Sequence, residues 1–261
     1  MDNAVVINPP INRFKQAIAA GDIQIGLWSS LVSNIVTEMI GAVGFDWLVL
    51  DAEHAPNDLA TLIPQLQALR GSHSEPVVRT PWNDPVLIKR FMDIGFRTIL
   101  FPYVQNEDEA AAAVAATRYP PEGIRGVATV HRACSYGAEA GYAKTANDRA
   151  CVLVQVETAA AAERLEKICA VKNLDGVFIG PADLAASMGH LGNPGHDEVQ
   201  SLMKRCVETC KAKGIPIGTL APVTADAKKY LEWGYTFVAV GADIGLLRAA
   251  ANAKLAEYKS H

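Results

Sequence analysis

Short apolar runs without polar alternation recur along the chain, separated by longer stretches whose apolar positions repeat with a helical period. WLVLD at 47–51, PVVR at 76–79, TILF at 98–101, VLVQVE at 152–157, GVFIG at 176–180, IPIGTL at 215–220 and FVAVG at 237–241 read as strands buried on both faces. QIGLW at 24–28 makes eight. Helical patterns at 33–43, 59–70, 85–94, 106–118, 159–171, 198–213, 224–233 and 244–259 follow them, after a leading helix at 11–20. Gly21, Gly44, Gly71 and Gly95 stand where left-handed helix caps belong. Eight strand–helix repeats with neither linker nor compositional break predict an α/β fold, a single (β/α)8 TIM barrel with a short N-terminal helix, and one domain over 1–261.

One interval breaks this rhythm. From Phe101 to Glu157 the chain is about twice as long as a repeat needs. The excess, 119–149, opens on the turn signal YPPEG and continues as GIRGVATVHRACSYG, in which GVATV has strand composition. The excess follows a helix, and GIRGVATVHRACSYG carries two arginines and a histidine rather than a continuous apolar run. It therefore reads as an excursion outside the barrel, placed to serve a neighbouring subunit, and not as a ninth strand.

Composition narrows the function. Half of the 261 residues are hydrophobic, the net charge is -4 and the pI is near 5.9, which gives an enzyme-sized core and no basic field for nucleic acid. MDNAVVINPPINRFK lacks the features of a secretory leader, and no uncharged run approaches the roughly eighteen residues of a membrane span. Five scattered cysteines without a CxxC pair suit reduced thiols, so a cytoplasmic protein is expected. Cys206 and Cys210, four apart on a predicted helix, read as its buried stripe because no third soft ligand is near.

In such a barrel the chemistry sits at the C-terminal ends of the strands. There the sequence places Trp28, then Asp51, Glu53 and His54, then Arg79, Gln155, Glu157, Asp183 and Leu220. Glu157 and Asp183 end adjacent strands, and two carboxylates with open positions suit Mg2+, Mn2+ or a similar divalent cation. The competing use of either is a salt bridge to Arg79. His54, three residues past Asp51 with Pro56 keeping the turn open, is a candidate general base oriented by that carboxylate. Arg79, inside an apolar strand, is a candidate bidentate donor to a carboxylate, keto or enolate oxygen. None of the twelve lysines lies in or at the end of a predicted strand, so Schiff-base chemistry is excluded. No GxGxxG follows a strand, so nucleotide cofactors lack support.

Six ordered motifs carry a resemblance. GLW, GFDWLVLDAEHAPND, PVVRTPWNDP, RYPPEGIRG, CVLVQVET and DGVFIGPADLAASMG resemble the metal-dependent (class II) pyruvate aldolases of the HpcH/HpaI type, and the resemblance runs from about Phe14 to Ala256. The resemblance implies a (β/α)8 barrel in a hexamer, a trimer of dimers, with an exchanged C-terminal helix. It implies Glu157 and Asp183 as ligands of Mg2+, Mn2+ or Co2+. It further implies that Gln155 and the backbone through Gly180, Pro181 and Ala182 hold the pyruvyl carboxylate, with Trp28, Asp183 and Leu220 beside the substrate. His54 becomes the base acting through a water, tuned by Asp93, and Arg79 stabilises an enolate oxygen. The implied reaction is reversible cleavage of 4-hydroxy-2-keto acids to pyruvate, or a relative such as hydroxypyruvate, and an aldehyde. TVHRACSYG and TLAP depart from the pattern, and there the aldehyde is selected. A citrate-lyase-like CoA ester lyase and a non-catalytic keto-acid-binding barrel are the alternatives; no basic cluster offers the first a nucleotide surface.

Overall fold

A computed structural model describes residues 11–259, and in it eight parallel strands close a barrel in sequence order, β8 returning to β1. The strands are β1 (Gln24–Ser29), β2 (Trp47–Asp51), β3 (Glu75–Arg79), β4 (Thr98–Phe101), β5 (Cys151–Val156), β6 (Gly176–Ile179), β7 (Ile217–Leu220) and β8 (Phe237–Ala242). Their registers run without a break except at a bulge in β1 between Gly26 and Trp28. Helix α1 (Arg13–Ala20) precedes the barrel, and α2 (Asn34–Gly41), α3 (Leu59–Ala68), α4 (Pro85–Ile94) and α5 (Glu107–Thr117) follow the first four strands. Side-chain caps fix their starts: Ser33, Asp58, Asp84 and Asn106 each accept a first-turn amide, as the sequence positions suggest.

The excursion contains no strand. After α5 it runs through a 3-10 segment (Arg132–Gly137) and α6 (Tyr142–Arg149) before β5 begins. Gly126 to Val130 stay outside the barrel, with Val127 and Val130 exposed, because no neighbouring strand offers them a ladder. The helix expected over 159–171 is instead two pieces, α7 (Ala159–Glu163) and α8 (Leu165–Cys169), parted at Arg164, whose guanidinium reaches Glu107 of α5. Next come α9 (Pro181–Ser187), α10 (Asp197–Lys213), α11 (Thr224–Trp233) and α12 (Asp243–Ala256).

The barrel interior is filled, not hollow. Trp47, Val77, Leu100, Leu153, Phe178 and Phe237 form its core, and α1 closes the N-terminal end by inserting Phe14 and Ile18. The Phe14 ring lies 5.5 Å from Trp47 and 5.7 Å from Phe237. Such rings fit because Gly26 and Gly218 lack a Cβ: one at Gly26 would fall 2.3 Å from the Trp47 ring. The larger core lies between the strands and the helix ring, where Cys206 and Cys210 are buried on one stripe of α10 as their spacing predicts. Among the described residues no helix is long and apolar enough to cross a membrane.

Candidate active site

At the open end of the barrel the strands release two groups of polar side chains. The first stands on β2 and β3. Arg79 donates from Nε and Nη2 to the two oxygens of Asp51 at 2.8 and 2.7 Å, a bidentate pair that is nearly fully buried. Its Nη1 lies 3.0 Å from Glu53 Oε2 without hydrogen-bond alignment, so that oxygen stays buried and unsatisfied. The guanidinium face covers the Trp28 ring at 4.9 Å. Burial works to raise the Asp51 carboxyl, but Arg79 and the amides of Glu53 and His54 outweigh it and hold it below the usual range.

Asp51 does not orient the His54 ring as expected. Its side chain is taken by Arg79 and accepts the Glu53 amide at 3.0 Å and the His54 amide at 3.4 Å, shaping the loop through its backbone. The imidazole turns outward, about two-thirds exposed, and its Nε2 is 3.8 Å from Glu53 Oε2. Glu53, adjacent to His54 in the chain, is thus the carboxylate that links the arginine to the histidine.

The second group stands on β5 and β6. Glu157 follows β5 directly and is buried; its Oε1 accepts the Tyr103 amide at 2.8 Å and its Oε2 the Gln155 side-chain amide. Tyr103 has a φ of 55°, in the left-handed region unfavourable to a ring-bearing residue, and this turn aims its amide at Glu157. Gly180 closes over the pair: a Cβ there would lie 2.4 Å from Glu157 Oε2 and 2.9 Å from Gln155 Nε2. The glycine in IGPAD is required by this close approach. Gln155 Oε1 is buried with no partner. Burial, then the charges of Asp183 and Glu53, push the Glu157 carboxyl up to about 7. Burial also raises Glu53, with Arg79 opposing and Asp51 and Asp183 adding to the rise. Glu53, Glu157 and Asp183 therefore share one electrostatic neighbourhood, and the nearby Arg79 is committed to Asp51 and Glu53.

The remaining expected residues divide. Pro181, Ala182 and Asp183 open α9 beside Gly180, and Leu220 packs at the end of β7 against the interior cluster that includes Trp28. Asp93 does not join them. It sits near the C-terminus of α4, which runs back toward the opposite face, and pairs with Arg125 at 2.7 Å with His131 at 3.9 Å. Within one chain Asp93 contacts the excursion and not His54. Asp243, at the start of α12, accepts from Ser29 Oγ and from the Ser30 and Leu31 amides, fixing the loop after Trp28. Neither Tyr103 nor Asp243 carries a signal in a strand pattern. Glu53 does, in DAEH.

A cavity of about 960 Å³ opens elsewhere, between the N-terminal strand ends and the excursion, lined by Arg13, Arg70, Glu75, Arg97, Arg132 and Glu139. Its two carboxylates are already paired, Glu75 with Arg97 and Glu139 with Arg149. The open end, by contrast, keeps two buried side-chain oxygens without partners, Glu53 Oε2 and Gln155 Oε1.

A filled (β/α)8 barrel with clustered carboxylates and one anchored arginine at the strand ends defines an enzyme of the carboxylate-site barrel class. Residues 24–250 match the HpcH/HpaI aldolase/citrate lyase family, and the chain belongs to that family. It is 56% identical to a 5-keto-4-deoxy-D-glucarate aldolase of Enterobacter sp. (strain 638), over 94% of this chain and 96% of the relative. The Salmonella arizonae protein of the same name is 54% identical over 98% of both chains. A crystal structure of an HpcH/HpaI aldolase/citrate lyase family protein from Burkholderia cenocepacia J2315 superposes with a TM-score of 0.92 at 42% identity, covering 95% of this chain and 100% of that one. The chain is an enzyme, a carbon–carbon lyase of the aldolase type, as its motifs imply.

Proposed function

We propose that this protein cleaves 5-keto-4-deoxy-D-glucarate, or a closely related 4-hydroxy-2-keto acid, to pyruvate and an aldehyde acid, with a divalent cation held by Glu157 and Asp183. The observation that carries the cation is the carboxylate neighbourhood itself. Burial raises the proton affinity of both Glu157 and Glu53 and the Asp183 charge adds to each, the arginine beside them is already paired, and Gln155 Oε1 has no partner. An all-oxygen set of this kind fits Mg2+, Mn2+ or Co2+ better than a thiophilic ion. Glu157 and Asp183 are the ligands, and each Glu157 oxygen keeps a lone pair beyond the amide it accepts. When bound, the cation supplies Lewis-acid polarisation of the keto acid.

The chain's own groups do the rest. Of the five N–H bonds of Arg79, three face Asp51 and Glu53, which leaves two for the substrate's keto oxygen as it gains charge. Their direction is fixed before substrate arrives, because Asp51 and the Trp28 ring hold the guanidinium on an edge and a face. His54, with Glu53 behind its Nε2, takes the proton of the hydroxyl next to the breaking carbon–carbon bond and returns it in the aldol direction. Gly180 and the first turn of α9 leave room for the substrate carboxylate against backbone near Ala182. Hydroxypyruvate in place of pyruvate fits the same groups.

The substrate side and the assembly follow the same reading. His54 is exposed in one chain, and Asp93, Ile124, Val127 and Val130 lie on or against the excursion. Beyond Asp243 the side chains of α12 are exposed, among them Ile244, Leu246, Leu247 and Leu255. Neighbouring copies in a cytoplasmic homohexamer cover these faces, exchange α12 and bring an excursion to each open end; one barrel domain per chain suffices. The test is pyruvate release from 5-keto-4-deoxy-D-glucarate by the EDTA-treated protein with and without added Mg2+, Mn2+ or Co2+. Release that depends on the added ion is expected. Activity undiminished after complete metal removal, or release of pyruvate from no hydroxy-keto acid, contradicts the reading.

A further inference from the structure

Away from the open-end carboxylates, the turn between α9 and α10 gathers three other potential ligands. His190, His196 and Glu198 each present one ligand atom, all within 4.8 Å of one another. The turn that carries them is internally braced. The His190 amide donates to Ala185 O at 2.8 Å, the Asn193 amide to His190 O at 2.9 Å and the His196 amide to Asn193 O at 3.1 Å. Gln200 Nε2 holds Pro194 O at 2.8 Å. Both imidazoles are thereby delivered to one side, stacked with centroids 3.5 Å apart, and His190 Nε2 lies 2.9 Å from Glu198 Oε2.

We propose that His190, His196 and Glu198 form a second metal site, which selects Zn2+ or a similar d-block dication over Mg2+ and ties the end of α9 to the start of α10. Two imidazoles and a carboxylate with an open fourth position are a zinc donor set, whereas Mg2+ prefers oxygen ligands and retains water. Around tetrahedral Zn2+ with bonds of about 2.0–2.1 Å, ligand atoms stand about 3.4 Å apart, so no pair in the group has to close by more than roughly 1.4 Å. Opening the ring stack achieves this, and Glu198 is exposed enough to follow. The contacts displaced are the 3.3 Å one from the Glu198 amide to His196 Nδ1 and the exposed 2.9 Å pair of His190 Nε2 with Glu198 Oε2, whose two atoms become ligands of the same ion. Without a metal the same residues are a surface His–Glu pair of little value to stability. A site here braces the helix that begins with Pro181–Asp183, and it is independent of the proposed reaction.

The test uses Zn2+ alone on EDTA-stripped Glu157→Gln protein, so that the open-end carboxylates do not compete, followed by dialysis against excess Mg2+ and metal analysis. About one zinc per chain is expected to remain, with a raised thermal midpoint. His190→Gln and His196→Asn, each added to that background, should lose the ion and the rise in midpoint. Asparagine retains a helix-capping side chain, so the loss does not reduce to a lost cap. Zinc washed out by Mg2+, or zinc retained equally in both added variants, overturns the site.

Discussion

At the N-terminal end of the barrel Phe14, Trp47 and Phe237 pack ring to ring; at its C-terminal end Glu53 and Gln155 keep buried oxygens without partners. Both ends are buried, but they differ in what burial achieves. Packing removes apolar area from water and has no further demand. Burying Glu53 and Glu157 beside Asp183 raises the proton affinity of the two glutamates, a cost that a bound cation would relieve. Stability and chemistry are thus separated along the barrel axis, which is why loops at one end can change while the other end holds the fold.

The sharpest way to break this contrast is to damage one end and measure both properties. Phe14→Ala removes a fully buried ring from the closed end and should cost about 3–5 kcal/mol of stability, read from denaturant midpoints. At a temperature where the variant is folded, its KM and metal requirement should be unchanged. Arg79→Ala strikes the open end, with a loss of stability from leaving Asp51 buried and unpaired but with its main effect on the chemistry. It should lower turnover about a hundredfold to a thousandfold while Mn2+ still binds, measured by steady-state kinetics beside calorimetry. Wild-type turnover in Arg79→Ala would remove the guanidinium from the mechanism. His54→Ala should likewise spare metal binding and reduce turnover.

Most of the barrel is legible in the sequence because buried parallel strands leave continuous apolar runs: 47–51 and 98–101 were expected and observed to the residue. The excursion was legible by the two arginines and a histidine of GIRGVATVHRACSYG, which no interior strand accommodates. Sequence spacing fails where a side chain chooses between partners. Asp51 ends the buried strand three residues before His54 and is the carboxylate expected to orient it, but the bidentate pair with Arg79 takes it, and Glu53 is left to the imidazole. Asp93 was implied by resemblance alone, and its place beside Arg125 is set by the direction of α4, which the motif does not encode. The Tyr103 amide is illegible for another reason: a positive φ on a ring-bearing residue has no composition signal.

A smaller perturbation at the open end sharpens the contrast. Gly180→Ala puts a methyl against Glu157 and Gln155, and should cost about 1–3 kcal/mol of stability. Cation affinity should fall with it, because Glu157 Oε2 has to move. Methyl addition at a site that served packing alone would leave Mn2+ affinity unchanged.

The pH dependence follows from Glu157, whose folded value of about 7 lies above the ordinary 4.5. Below pH 4.5 the carboxyl is protonated in both states and has no effect. As pH rises toward 7 the unfolded chain loses the proton first, so metal-free stability falls, by about 3 kcal/mol once above 7. Glu157→Gln should abolish that decline, as read from thermal midpoints of EDTA-treated protein across the same window.

The most direct measurement is proton release on cation binding, by calorimetric titration of Mg2+ or Mn2+ near pH 6.5 in buffers of different ionisation enthalpy. If buried Glu157 is a ligand, each bound ion displaces a substantial fraction of a proton near pH 6.5 and almost none near pH 9, and Glu157→Gln abolishes the release. Binding of the same affinity with no proton displaced at either pH, or release unchanged in Glu157→Gln, would contradict a cation seat at the open end of the barrel.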